Sequence, residues 1–342
     1  MNIVSLLLFG LVAPSLVGGC GGTTSDSNTN GNPSNAPGVS ELAQVEQDSV
    51  RYVAVNDNGI YWTNVVRPGL FKVNWDATGL NQLNGDLSPD ALSATADRLY
   101  WRSFVDATDV TSRLCTALDD GSQRQDLVSG PQLSMGGWAG HWSVPSDAQY
   151  IYWQSNGDAT PQVAQISRVS IAGGTPELLY NSSLSGIDNT WLGSNGNVYF
   201  DDGVGIHALD LATRAQSDLV TQGLFVTDPA WIGDVFYFVG ASLDVPALNG
   251  LFRLKDGVAT RIGPSELVGA LLRAAADNTI LYLLDGHDAT QSRVLRYDPA
   301  SDTATTIYTF PNESPASNIV VDGDYLVFGL FNRIVRMPKN PQ

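Results

Sequence analysis

The chain has 342 residues, of which only 15% are charged, and its formal net charge is −17. A surface this acidic repels phosphate backbones and anionic headgroups, which excludes nucleic-acid binding as a function. The 34 glycines and the sparse charge favour an all-β fold of short strands and tight turns over long helices.

Residues 1–19 are predicted to be a signal peptide outside the fold. The stretch Ile3 to Val17 is mainly apolar and too short to cross a bilayer. It ends in Val17-Gly18-Gly19-Cys20, which resembles the bacterial lipobox. The resemblance implies that Cys20 carries acyl chains such as palmitate and anchors the protein in the cell envelope. Because Gly21 rather than Asp follows it, the resemblance also implies the outer membrane. An ordinary cleaved signal peptide is the alternative.

Residues 20–40 are predicted to be the lipidated cysteine and a flexible tether. Between residues 21 and 40 only Ala36 and Val39 are apolar, so this segment cannot bury enough surface to offset its ordering entropy. A chain of this composition reaches roughly 25 Å. Residues 41–342 are then the folded domain.

An aromatic motif recurs seven times along that domain. The clearest copies are Ile60-Tyr61-Trp62-Thr63-Asn64, Leu99-Tyr100-Trp101 and Ile151-Tyr152-Trp153. Weaker copies are centred on Tyr199, Tyr237, Tyr282 and Val327, and successive copies lie 38 to 52 residues apart. A four-stranded propeller blade has a length of roughly 40–50 residues.

Each repeat has the same internal order. A short apolar run and an Asn-, Asp- or Gly-rich turn precede the aromatic strand, and a third strand then carries a cation among apolar residues, as at Lys72, Arg168 and Arg253. A short fourth strand ends the unit. Seven such units predict a single seven-bladed β-propeller of four-stranded blades.

The last unit lacks a fourth strand, because only residues 338–342 follow Met337. The segment Glu41-Leu42-Ala43-Gln44-Val45 has the length and apolar spacing of the missing strand. We predict that it completes the last blade and closes the ring, which removes exposed sheet edges. Deleting residues 41–47 is therefore expected to destabilise the whole domain.

The stretch Tyr61-Trp62-Thr63-Asn64 is one residue from the YWTD motif of the low-density-lipoprotein-receptor type of propeller. Tyr100-Trp101 and Tyr152-Trp153 keep the aromatic pair. The chain resembles the bacterial lipoprotein and secreted propellers of this YWTD/NHL-like group. The resemblance implies a propeller fold and a binding or scaffolding role, without implying one ligand.

Three carboxylates precede innermost strands, where a propeller opens onto its central channel: Asp90, Asp188 and Asp228. Such a ring is suited to Ca²⁺ or a basic ligand. The alternative is that these residues cap turns.

The third unit carries a longer, Trp-rich stretch from Gly136 to Pro145. Insertions in a propeller tend to project from the face where ligands bind, which makes Trp138, His141 and Trp142 candidate ligand-binding residues. With Trp191 and Trp231 they would offer stacking surfaces for a sugar or a peptide. The alternative is that the tryptophans fill gaps between blades.

No catalytic or metal-ligand pattern appears in the sequence. The histidines, His141, His207 and His287, are not at metal-ligand spacing, and His207 is predicted to be an exposed strand residue. Cys115 is predicted to be a buried structural thiol on a strand.

The sequence therefore predicts a monomeric cell-envelope lipoprotein, anchored to the membrane through Cys20, that binds a protein, peptide or glycan without catalysis. One alternative is a periplasmic propeller enzyme of the lyase, lactonase or quinoprotein type, whose marker is convergent histidines or carboxylates in the central funnel. The other is a purely structural envelope protein, whose marker is a funnel blocked by apolar side chains.

Overall fold

The computed structural model describes residues 38–45, 48–104, 112–130, 144–156, 163–182, 186–187, 189–193, 195–202, 205–220, 225–241, 249–255, 258–267, 272–288, 291–311 and 315–340. The predicted signal peptide, Cys20 and nearly all of the tether lie outside these residues. Among the residues described, no helix is long and apolar enough to span a membrane.

The described chain is built from short strands, numbered here in chain order. The first, closing strand is β1 (Ser40–Gln44). The strands of blades 1 to 3 are β2 (Val50–Asn56), β3 (Gly59–Asn64), β4 (Leu70–Val73), β5 (Asn81–Asn84); β6 (Leu87–Ala94), β7 (Arg98–Phe104), β8 (Ser112–Leu118), β9 (Gln125–Gly130); and β10 (Tyr150–Asn156), β11 (Ala164–Ser170), β12 (Glu177–Asn181). Those of blades 4 and 5 are β13 (Asn189–Leu192), β14 (Asn197–Asp201), β15 (Ile206–Asp210), β16 (Gln216–Val220); and β17 (Phe225–Ile232), β18 (Val235–Ala241), β19 (Gly250–Lys255), β20 (Val258–Ile262). Those of blades 6 and 7 are β21 (Leu272–Ala276), β22 (Leu281–Asp288), β23 (Gln291–Asp298), β24 (Thr303–Pro311); and β25 (Pro315–Asp322), β26 (Tyr325–Leu330), β27 (Arg333–Pro338).

The strands form seven antiparallel sheets, and in blades 1 to 6 they pair in chain order. Six sheets have four strands, and three strands of blade 3 fall within the described residues. Adjacent innermost strands, such as β2 with β6 and β17 with β21, contact each other around a central axis. The fold is the seven-bladed β-propeller that the repeat predicts.

The ring closes as predicted. Strand β1 pairs antiparallel with β27, so the fourth strand of blade 7 comes from the other end of the domain. Glu41 and Arg333 form an ion pair of 3.1 Å across this seam, and the backbone N–H of Val45 continues the pairing by donating to Asn332 at 2.7 Å. The closing strand gives β27 a partner on its outer side and becomes the outermost strand of blade 7.

The aromatic motif lies on the second strand of each blade, and its two rings face opposite neighbours. Side chains alternate between the faces of a strand. Tyr61 packs with Leu92 and Trp101 of blade 2, whereas Trp62 packs with Leu42 and Val327 of blade 7. The Tyr–Trp pair recurs because each blade must bury both faces.

The register explains the other recurring residues. The cation of the third strand lies directly across from the tyrosine of the aromatic motif. Lys72 pairs in this way with Tyr61, and the Lys72 ammonium is 5.4 Å from the centroid of the Tyr61 ring. The tyrosine hydroxyls donate to an Asn or Asp of the preceding hairpin turn: Tyr61 to Asn56 (3.1 Å), Tyr152 to Asp147 (2.6 Å) and Tyr282 to Asp277 (3.1 Å). Burial and the neighbouring Asp147 raise the pKa of Tyr152 to about 12.

Candidate binding site in the central channel

The innermost strands surround a cavity of about 400 Å³ on the propeller axis. Six blades contribute described residues to its wall, among them Tyr52, Leu92, Trp191, Asp228, Ala275 and Asn318. Its volume lies in the range of about 300–1,000 Å³ that is usual for small-ligand sites. The wall combines large aromatic rings, small apolar residues and a few polar groups.

Asp228 is the predicted site residue that the structure places in this wall. Its residue is only 6% exposed, and its Oδ2 lies 3.6 Å from Nη1 of Arg273 on the neighbouring blade. The opposite charge compensates the carboxylate and links blade 5 to blade 6. Asp228 therefore belongs to an ion pair that crosses a blade boundary, a partner that sequence spacing did not reveal.

The same strand position links other blades. In each of these blades one residue of the innermost strand pairs with the central residue of the aromatic motif, which is Tyr199, Tyr237 or Val327. Asn189, Asp228 and Asn318 each lie two residues before that pairing residue. Asn189 donates to the carbonyl of Val226 on the next blade at 2.9 Å. Asn318 bonds both the N–H (2.8 Å) and the carbonyl (2.9 Å) of Val53. A polar residue at this position therefore ties adjacent innermost strands together.

The other two predicted carboxylates cannot be placed in a ring with Asp228. Asp90 lies on β6, and its Cα pairs with that of Arg102. Asp188 lies outside the described residues. Within the described part of the chain, no three His, Cys, Asp or Glu side chains are grouped closely enough to hold a metal ion.

Trp191 and Trp231 combine the two roles considered from the sequence. Trp231 lies 4.8 Å from the ring of Tyr199 and stacks on Phe236 at 4.7 Å, so these rings fill the gap between blades 4 and 5. Both tryptophans also line the channel cavity. Trp191 is only 4% exposed, whereas Trp231 is half-buried and keeps ring surface for stacking.

The candidate residues of the Trp-rich stretch, Trp138, His141 and Trp142, lie outside the described residues. Val144, at the end of the stretch, is buried in the core between blades 2 and 3 with Tyr100 and Ile151. The predicted role of these three residues therefore stays a prediction.

His207 is buried, and the prediction that it is exposed is wrong. Its Nδ1 lies 2.9 Å from Asp218 and its Nε2 3.1 Å from Asp202, while its ring stacks on Phe200. The bond to His207 holds the pKa of Asp218 below its usual range. Phe200 on the paired strand and the carboxylates of Asp202 and Asp218 thus surround the His207 ring. His207 is not part of the described wall of the channel cavity.

Cys115 is a free, buried thiol, as predicted. Burial raises its pKa, which outweighs the opposing effect of Arg124. A thiol held neutral in this way is unsuited to nucleophilic chemistry.

No protein-family model and no curated protein matches this chain. The fold is similar to that of a catalytically inactive virginiamycin B lyase from Staphylococcus aureus with quinupristin, with a TM-score of 0.64, 13% identity, and coverage of 88% of this chain and 99% of that chain. It is also similar to YCF48 from Cyanidioschyzon merolae, with a TM-score of 0.63, 10% identity, and coverage of 88% of this chain and 98% of that chain. The similarity to YCF48 bound to D1 peptide has a TM-score of 0.61, 10% identity, and coverage of 88% of this chain and 96% of that chain. Identities this low show a shared fold alone.

Proposed function

We propose that the protein is a cell-envelope lipoprotein of the YWTD/NHL-like propeller group that binds a ligand at its central channel without catalysis. The observation that carries the proposal is the cavity of about 400 Å³ whose wall includes Trp191, Trp231 and Asp228. A purely structural propeller would instead fill this axis with apolar side chains. The proposed binder differs from an enzyme in that it needs no convergent histidines, and His207 lies away from the cavity wall.

The ligand that suits this wall best is a segment of peptide. Indole and phenol rings, such as those of Trp231 and Tyr52, give large contact areas at low entropic cost. Asp228, whose carboxylate is 3.6 Å from Arg273, is the charged residue of the described wall and offers an acceptor to backbone N–H groups. A propeller of the same fold, YCF48, was solved bound to D1 peptide, which supports this ligand class by analogy.

The channel can be tested by filling it. Ala275 lines the cavity, so Ala275→Trp is expected to occupy the space that a ligand needs. The matched control is Val258→Trp, because Val258 is 61% exposed on the outermost strand of blade 5. Peptides are selected from a random displayed library on the wild-type protein, and their affinity for both variants is measured by calorimetry.

The expected result is an affinity at least about tenfold weaker for Ala275→Trp, a loss of about 1.4 kcal/mol, with no change for Val258→Trp. Equal affinity for both variants would place binding elsewhere on the propeller. Failure to select any peptide, combined with binding of oligosaccharides in a parallel glycan array, would replace the peptide by a sugar.

The lipid anchor has a separate test. Cells that express the full chain are labelled with a palmitate analogue, and the protein is followed by fractionation. Wild-type protein is expected in the membrane fraction with label, and Cys20→Ser is expected to lose both, because stable anchoring requires the acyl chains. Equal labelling of the two proteins, or no labelling of either, would contradict the lipoprotein assignment.

A further inference from the structure

A second cavity lies between blade 1 and the closing strand, away from the channel. We call it the blade 1 cavity. Its volume is about 320 Å³, and its wall includes Gln44, Trp62, Asn64, Arg67 and Phe71. Ring closure creates this space, because β1 supplies the wall opposite β3.

Two buried polar side chains that line this cavity have atoms without a hydrogen-bond partner among the described residues. Trp62 and Asn64 are each 1% exposed, and they lie on one face of β3 because they are two residues apart. Neither Nε1 of Trp62 nor either amide atom of Asn64 has a hydrogen-bond partner among the described residues. Buried polar atoms are nearly always paired in folded proteins, so three such atoms in one wall require an explanation.

Arg67 is the one charged side chain in the described wall of this cavity, in a protein whose net charge is −17. No acidic residue is part of its described wall, and Arg67 stands at the rim, 5.2 Å above the ring of Phe71. Asp48, on the adjoining loop, already accepts from the N–H groups of Val66 (3.0 Å) and Arg67 (2.6 Å). The charge and the unpaired N–H donors therefore favour an anionic ligand.

This space is large enough for a small ligand as well as for water. A water molecule takes about 30 Å³ of liquid volume and needs about three hydrogen bonds when buried. The cavity of about 320 Å³ has room for roughly ten waters by that measure, and beside the three unpaired atoms its described wall offers the polar side chains of Gln44, Asn81 and Gln82. Much of the remaining wall is Val45, Trp62, Phe71 and Leu80, which suits an apolar side chain.

We propose that the blade 1 cavity binds the carboxyl-terminal residue of a peptide. Arg67 pairs with the terminal carboxylate. The amide of Asn64 accepts from and donates to the adjoining peptide group, and the N–H of Trp62 donates to a ligand oxygen. The stacked rings of Trp62 and Phe71, 5.7 Å apart, hold the ligand's side chain. This site is independent of the ligand proposed for the channel.

Indole signals in ¹H–¹⁵N spectra of the full-length protein test the proposal. The Trp62 signal is assigned by its loss in Trp62→Phe. The probe is N-acetylalanine, which is titrated to a final concentration of about 10 mM. The Trp62 signal is expected to shift with saturation. The Trp101 signal is the internal control and is expected to stay, because its N–H already donates to Asp86. The uncharged N-acetylalanine amide is expected to bind at least about tenfold more weakly.

Two variants separate the ligand contacts. Arg67→Ala is expected to remove the preference for the carboxylate over the amide, since Arg67 is the charged residue of the described wall and, being exposed, contributes little buried packing. Asn64→Leu is expected to weaken binding about tenfold and to raise Tm by about 2 °C, because unpaired buried amide atoms are removed. No Trp62 shift, or equal binding of the charged and uncharged probes, would overturn the proposal. An unchanged affinity in Asn64→Leu would also overturn it.

Discussion

Blades 1 and 2 carry the same Tyr–Trp motif in the same register, yet they treat its polar atoms differently. Trp101 is fully buried, and its N–H donates to Asp86 at 2.8 Å. The carboxylate of Asp86 also pairs with Arg124 at 3.0 Å. Trp62 is buried equally well, but its N–H has no partner among the described residues. The repeat thus specifies how the rings pack, whereas each blade settles its own polar pairing.

The lesson is that a repeated motif is not functionally uniform. The aromatic motif recurs in every unit, and such recurrence is typical of a packing element that all blades share. Packing accounts for the ring of Trp62, which contacts blade 7. It does not account for its N–H or for Asn64, which lines the same cavity. Function in a propeller is therefore better sought at polar atoms that differ between blades than at ring positions that recur.

Removing the closing strand is expected to have the largest effect on stability, because this strand covers Trp62 in blade 1. Deleting residues 40–45 exposes the edge of β27 and one face of Trp62. We expect Tm to fall by more than about 10 °C in calorimetry. The control Glu41→Gln removes only the charge facing Arg333 and should change stability by less than about 1 kcal/mol. An unchanged Tm in the deletion would contradict closure as a source of stability.

Removing Asp86 tests the polar pairing of blade 2, in which this carboxylate accepts from the N–H of Trp101. Asp86→Ala leaves the N–H of Trp101 without its acceptor, and it leaves Arg124 and Arg113 with Asp126 as their remaining carboxylate partner. Since both arginines are partly exposed, we expect a loss of about 2–3 kcal/mol in urea unfolding, somewhat below that of a fully buried pair. Asp120→Ala, at an exposed turn of the same blade, should lose less than about 1 kcal/mol. Equal losses would mean that Asp86 contributes no more than a turn residue.

Replacing each tryptophan by phenylalanine sharpens the comparison directly. Both changes remove similar ring area, but Trp101→Phe also removes a hydrogen bond to a carboxylate. Trp62→Phe removes an unpaired N–H. The free energy of unfolding should fall by about 1 kcal/mol more for Trp101→Phe. If the two variants lose the same stability, the indole N–H of Trp62 has a partner in solution.

The smallest expected effect concerns Asp277, whose carboxylate accepts a hydrogen bond from the hydroxyl of Tyr282. Burial alone would raise the pKa of Asp277, but hydrogen bonds from the N–H groups of Thr279 and Ile280 and from Lys339 lower it to about 2. Because the unfolded value is about 3.9, the folded state binds this proton more weakly. The contribution of Asp277 is therefore complete above pH ~4 and is lost as pH falls towards ~2.

Blade 1 provides the control, since the hydroxyl of Tyr61 donates to the neutral Asn56. Urea unfolding of Asp277→Asn should approach that of the wild type as pH falls through this range. The effect of Asn56→Ala should be similar at each pH. A pH-independent effect of Asp277→Asn would show that the carboxylate acts only as a neutral turn residue does.

The fold was predictable because it depends on local regularities. The spacing of the aromatic copies predicted the blade number, and the apolar spacing of Glu41–Val45 predicted the closing strand, which pairs with β27. The buried state of Cys115 followed from its strand context. Each of these features needs only a period or a pattern.

The polar pairings were not predictable, because they depend on small offsets between distant segments. Asp86 reaches the tryptophan 15 residues later, whereas Asp48, one position closer to Trp62, holds a loop instead. Asp228 meets Arg273 from another blade. His207 is enclosed by carboxylates on two different segments. No spacing in the sequence marks any of these partners.

The closing strand also sets an order of assembly. Blade 1 can form once β2 to β5 have been made, since its strands are neighbours in the chain. Blade 7 joins residues as far apart as Glu41 and Arg333, which are 292 positions from each other. Strand β1, one of the first segments to be synthesised, must therefore wait for one of the last, and such distant pairing is intrinsically slow. Until then its partner edge on β27 and the blade 1 face that it covers stay open to other chains.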